Sequence, residues 1–284
     1  MRPPRWGLAL VLLVGAGAGW AQAQTMKSYS AARQVHGETQ LTATVELAAG
    51  TLRLAPGGAG TLYHMRLNYD ADRFRPQSGY NAAAGEVTLG IESVGGSGLR
   101  VSNARQLDQA ANVVLSPAVD LTLTARLEAV QAELELGGFR LIAFSVENGA
   151  SRTVVRFSSL NRVRCSRGEF RAGAAEFRVS GLGNSRCDVV VFEGGVGAAT
   201  LDFGGAWRND MKVDARMAAG GLTIRLPRTL GVRMTTDNFL SIMKPEGFVE
   251  RDGTWLSANY QGAERHLDLS IRSSLGLVKI EWTD

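Results

Sequence analysis

The chain is poor in the residues that carry most metal and acid–base chemistry. Its 284 residues include three histidines, His36, His64 and His266, far apart in sequence. The two cysteines, Cys165 and Cys187, sit in no C-x-x-C arrangement, and no H-x-x-H accompanies them, so a transition-metal site lacks a ligand set. Lysine is scarce, with four residues against 27 arginines; a G+C-rich genome explains that bias. There are seven prolines, three of them at positions 3, 4 and 56. Helical periodicity is nearly missing, and only Gln106 to Val114 hints at a short helix. Beyond the N-terminal segment no stretch is long and apolar enough to span a bilayer. Gly194-Gly-Val-Gly197 is no phosphate loop, because it precedes a strand pattern and no lysine follows. No cofactor is expected.

The N-terminus reads as an export signal. Arg2 and Arg5 are followed by an apolar run from Leu8 to Val14 and by Ala21-Gln-Ala23, a small-residue cleavage pattern. Cleavage is expected after Ala23, which places the mature chain in the periplasm or outside the cell. No cysteine follows the apolar run, which argues against a lipid anchor. Without Arg2 and Arg5, 29 basic side chains face 27 acidic ones. A net charge of +2 makes no field that would gather nucleic acid.

What is abundant is short-range alternation. Ala132 to Gly137, Ser151 to Ser158, Ala174 to Gly181, Ala198 to Gly204, Leu222 to Arg228 and Leu277 to Thr283 each place two apolar residues around one polar residue. Glycine precedes four of them: Gly173, Gly197, Gly220 with Gly221, and Gly276. The inward positions Leu134, Val155, Phe177, Leu201 and Ile224 recur about every 22 residues. A period of that size predicts an all-β, solenoid-like stack in which these five side chains form one buried column. The glycines of Gly194 to Gly197 fit a corner with positive φ. Residues 24–118 are less regular and 119–284 hold the clean repeats; no low-complexity linker divides them, so the two regions are expected to pack together. Gly247 to Trp255 reads as a hairpin around Arg251-Asp-Gly253.

The cysteines lie about one repeat apart, and neighbouring strands at about 4.8 Å come within disulfide reach. Counted from Gly173 and Gly197, however, they miss direct register by two residues, so a bridge and two free thiols both remain open.

Several segments resemble a known family. Gly181-Leu-Gly-Asn184, Glu193-Gly-Gly-Val-Gly197, Thr200-Leu-Asp-Phe203, Gly205-Ala-Trp207, Leu222 to Pro227 and Leu230-Gly-Val232 look like the bacterial toast-rack proteins. These are related to the C-terminal domain of LiaF-type cell-wall-stress proteins and to the putative-adhesin β-solenoid family. Ala48 to Leu54, Leu67 to Asp70 and Arg73 to Pro76 are similar to their N-terminal motifs. The resemblance covers about residues 40–284. It implies an exported or envelope-facing β protein, and its motifs are structural. LiaF-type members carry N-terminal membrane helices and modulate a sensor kinase; this chain shows no such helices.

Candidate catalytic constellations fail on geometry. His266, Asp268 and Ser270 share one strand face, but the histidine is not between nucleophile and acid, and the span is about 13 Å. Asn68, Asp70 and Asp72 begin like a calcium loop, but Arg73 and Gly79 stand where glycine and glutamate are needed; a turn capped by Asp70 fits better. Glu133, Glu135 and Glu176 form no converging pair of the kind a glycan-cleaving enzyme uses. The uneven feature is arginine: eight between Arg152 and Arg186 against Glu169 and Glu176. Arg156 and Arg178, with Arg164 and Arg186, are the candidate patch for an anionic envelope polymer; the alternative is a solvated face. The sequence thus points to an exported, non-catalytic envelope module, structural or ligand-binding. A regulatory partner acting through protein contacts in envelope-stress sensing is second, and a β-helix-type polysaccharide-active enzyme third.

Overall fold

The computed structural model describes residues 25–94, 108–150 and 152–284. The expected leader, 1–23, lies outside them. The described chain is all-β apart from a 3-10 turn at Leu182–Ser185. Its strands are β1 (Met26–Gln34), β2 (Gln40–Pro56), β3 (Thr61–Asp70), β4 (Phe74–Asn81), β5 (Glu86–Ser93), β6 (Ala110–Leu115), β7 (Asp120–Glu135), β8 (Arg140–Asn148), β9 (Arg152–Arg156), β10 (Cys165–Ser180), β11 (Cys187–Asp202), β12 (Met211–Pro227), β13 (Gly231–Lys244), β14 (Phe248–Arg251), β15 (Thr254–Ser257) and β16 (His266–Thr283). The helix expected from Gln106 to Val114 is not formed where it is described. Ala110–Leu115 is strand β6 instead, held parallel to β2 and antiparallel to β3, because sheet partners on both sides override a weak local preference.

The long strands β2, β7, β10, β11, β12 and β16 turn a corner midway. The buried set in β12 is Met211, Val213, Ala215 and Met217 before the corner, then Leu222, Ile224 and Leu226 after it. The buried side thus changes from odd to even positions. β7 changes in the same way, from Leu121, Leu123, Ala125 and Leu127 to Val130, Ala132 and Leu134. Side chains alternate strictly along a strand, so a change of parity requires a local break, and here it coincides with the bend.

Neighbouring strands keep that break aligned. β2, β7, β10, β11, β12, β16 and β13 follow one another in parallel. Between β7 and β10 the layer is shared by two short strands, β8 before the corner and β9 after it. Gly197, Gly220 and Gly276 are register partners with φ of 140°, 120° and 132°. A Cβ on Gly220 would run into the Gly197 carbonyl oxygen, and one on Gly276 into that of Gly220.

The core column after the corner is Leu54, Leu134, Val155, Val179, Leu201, Ile224 and Ile280, each the register partner of the next and all buried. Phe177 does not belong to it. It is buried on the same side, but its partners are Thr153 and Ala199. The β9–β10 register is two residues longer than a uniform spacing of about 22 would give, so Val179 takes the expected place. Phe177 instead joins Phe144, Phe157, Phe170 and Phe192, whose neighbouring ring centroids are 5.2–5.9 Å apart. Register offsets vary, and residues 228–265 intervene between β12 and its partner β16, so no single fixed period is displayed. The strand order also departs from the sequence, because β16 lies between β12 and β13.

Cys165 and Cys187 are direct register partners, and their sulfurs are bonded. The two-residue mismatch read from the sequence arose from matching Gly173 with Gly197. The pairs Ala172–Gly194 and Ala174–Val196 place Gly173 beside Gly195. The expected hairpin is present as β14 and β15, joined by Asp252 and Gly253 at φ 50° and 74°, as a tight two-residue turn requires.

Two substitutions test the corner. Gly220→Ala is expected to cost at least about 1–3 kcal/mol from its backbone conformation alone, with the carbonyl clash in addition. Gly221→Ala, where an added Cβ meets nothing within 4 Å, is expected to be nearly neutral. Urea denaturation measures both, and equal losses would contradict the corner account. The disulfide is tested by removing both sulfurs: Cys165→Ala with Cys187→Ala should lower stability by about 3 kcal/mol in the chain-entropy account.

Candidate functional site

Just before the corner, one row of side chains crosses the parallel strands. Glu46, Arg126, Glu147, Arg171, Glu193 and Arg216 are successive register partners on β2, β7, β8, β10, β11 and β12. Their signs alternate without a break. Arg126 lies 2.7 Å from Glu46 and 3.8 Å from Glu147. Arg171 lies 2.9 Å from Glu147 and 3.4 Å from Glu193, and Arg216 3.4 Å from Glu193. The next partner, Arg272 on β16, has the same sign as Arg216. Asp214, two residues before Arg216, reaches both guanidinium groups, at 2.6 and 3.1 Å. Exposed pairs contribute little singly; here each inner member is shared by two partners.

Beside this row runs a groove of about 1140 Å³. Its floor is nearly bare backbone, formed by Gly149, Gly173, Gly195 and Ala218. Gly173 and Gly195 are there because the backbones approach closely: a Cβ on either would meet the carbonyl oxygen of the glycine in the preceding layer, Gly149 or Gly173. Beyond the floor, Val196 and Leu275 stand exposed at 61% and 53%, linked in register through Ala219.

The arginine patch expected from the sequence is not one site. Arg156 pairs in register with Ser180 and Arg178 with Val154, so the two are diagonal rather than side by side, for the same two-residue reason that displaces Phe177. Arg178 and Arg152 both approach Glu176, at 3.7 and 3.6 Å. Arg164 and Arg186 lie at the other end of the strands, each just ahead of the first residue of β10 or β11. Arg164 donates to both carboxylate oxygens of Asp188, at 2.8 and 2.9 Å, and Arg186 to the Asn161 carbonyl. The charged row was missed because Glu147 and Glu193 fall just outside the window from Arg152 to Arg186.

The other candidates are accounted for locally. Asp70 accepts the Asp72 backbone N–H and lies 3.7 Å from Arg73, as a turn residue does. Asp268 binds Arg233 through both oxygens, and His266 Nε2 contacts the Tyr260 carbonyl. Glu135 accepts the backbone N–H groups of Gly137 and Ser158.

Among the described residues, three carboxyls are held below their ordinary range. The His36 backbone N–H holds Glu38 at about 2. Hydrogen bonds from Arg167 lower Glu169, and those from Lys279 and Arg225 lower Glu281. A lowered carboxyl stabilises the fold above its unfolded pKa, and that contribution is lost as pH falls through the folded value. The urea midpoint should therefore be level from pH 7 to about 5 and decline below about 4.5, with Glu38 titrating at about 2 by NMR. A midpoint unchanged down to about pH 2.5 would contradict this.

The N-terminal domain of toast_rack, DUF2154, matches residues 21–180. Among solved structures, a putative cell adhesion protein from Clostridium sporogenes is 13% identical, with a TM-score of 0.47, over 90% of this chain and 100% of that one. A putative adhesin from Bacteroides fragilis is 12% identical, with a TM-score of 0.40, over 89% and 97%. No curated protein matches the chain.

Proposed function

The chain belongs to the toast-rack family, and we propose that it is an exported, non-catalytic module of the cell envelope that binds an envelope component along its strand stack. The stack acts as a solenoid-like scaffold, and its outward rows present side chains at the strand spacing. The observation that carries this reading is the groove, which crosses six adjacent strands beside a row of paired charges that alternate in sign over five of them, from Arg126 to Arg216. Such a surface suits an extended ligand better than a small substrate. The leader-like N-terminus supports export. Contact with an envelope protein is the second reading, and the exposed aliphatic side chains Leu240, Ile242, Leu275 and Leu277 favour it.

Fractionation and N-terminal sequencing test export: the expected product begins at Gln24 in the periplasmic or extracellular fraction. The immobilised mature protein is expected to retain wall or membrane-associated material. An unprocessed cytoplasmic chain, or release of cleaved glycan by the purified protein, would overturn the proposal.

A further inference from the structure

We infer that the groove takes an extended, uncharged glycan chain, with about one pyranose ring lying on each strand; this rests on the envelope-binding reading above. The charge row supplies the first argument. Its sign repeats every second strand, about 9.6 Å at the usual strand separation. Side chains on one face of an extended peptide recur about every 6.7 Å, so a peptide drifts out of step within a few residues. A chain of equatorially linked pyranoses advances by roughly one strand width per ring, and alternate rings are flipped. Its repeat therefore follows that of the row.

Charge and hydrogen-bond capacity supply the second. A polyanion meets Glu147 and Glu193, and a polycation meets Arg126, Arg171 and Arg216. A sugar hydroxyl both donates and accepts, so it can serve a carboxylate on one strand and a guanidinium on the next. The ion pairs leave capacity for this, since a guanidinium carries five N–H donors and a carboxylate about four acceptor positions.

The floor supplies the third. Gly173, Gly195 and Ala218 let the C–H face of a flat ring approach the backbone, which turns a hydroxyl edge of the ring toward the charge row. The bare floor spans four layers, about 14 Å, enough for three or four rings, with Glu128 and Ser274 lining the outer strands.

The test titrates the mature protein with chitohexaose and with cellohexaose, followed by NMR. Shifts are expected at residues of the charge row and floor with either or both sugars, and the half-saturating concentration should change less than about twofold between roughly 50 and 500 mM NaCl, because no net charge is neutralised. Ala218→Trp fills the groove at an exposed position and should weaken binding at least about tenfold while the thermal midpoint is kept. Arg171→Met, away from the floor, should also weaken it, which keeps the test decisive if the tryptophan variant does not fold. No binding of either hexasaccharide at about 10 mM, as an upper limit for specific recognition, would overturn the inference. So would tighter, salt-sensitive binding of polygalacturonate or binding of extended peptides alone. Retention of envelope material by a protein that ignores both sugars would leave the envelope reading standing and remove only the glycan.

Discussion

The structure depends on how closely adjacent backbones approach at the corner. A strand that bends must keep hydrogen bonds to neighbours on both sides, so every strand in the stack has to bend at the same level. Gly197, Gly220 and Gly276 meet that condition in successive strands, with each carbonyl occupying the space a side chain would need on the next. The bend also reverses the buried side. A slip of one residue would expose a whole row of apolar side chains, so the corner and the core fix the same register.

Register in turn determines the surface. In a parallel, in-register stack, each outward side chain lies beside its counterparts on both neighbours, and like charges would accumulate in rows. Alternating signs avoid that from Glu46 to Arg216. Where alternation fails, between Arg216 and Arg272, Asp214 reaches over from the adjacent outward row. The disulfide follows the same rule, because Cys165 and Cys187 meet only as direct partners.

Local features were legible in the sequence. The alternating strands, the positive-φ glycines Gly197, Gly220 and Gly276, and the Asp252-Gly253 turn depend on a few adjacent residues; Gly173 has no positive φ, and the short helix expected near Gln106 gives way to strand β6. Register was not, because it depends on how many residues each connection uses. The extra length between β9 and β10 displaced both Phe177 and the Arg156–Arg178 pair. Two glycines in one corner, Gly195 and Gly197, misaligned the cysteines. The charge row has no signature along the chain, because its members are contributed one per strand and are about 20 to 80 residues apart in sequence.

The place of β16 was the least legible element, and it changes how the stack can assemble. A simple stack adds each strand to the one before it. Here β13 pairs with β16 and, over two residues, with β15, so it has no long partner until the end of the chain arrives. β12 likewise keeps an open edge across its full length until β16 fills it. Contacts between distant segments slow folding because the loop must close before they reward it. The last layers are therefore built from segments far apart in sequence, and strand β16 is the piece that joins the stack to the hairpin of β14 and β15.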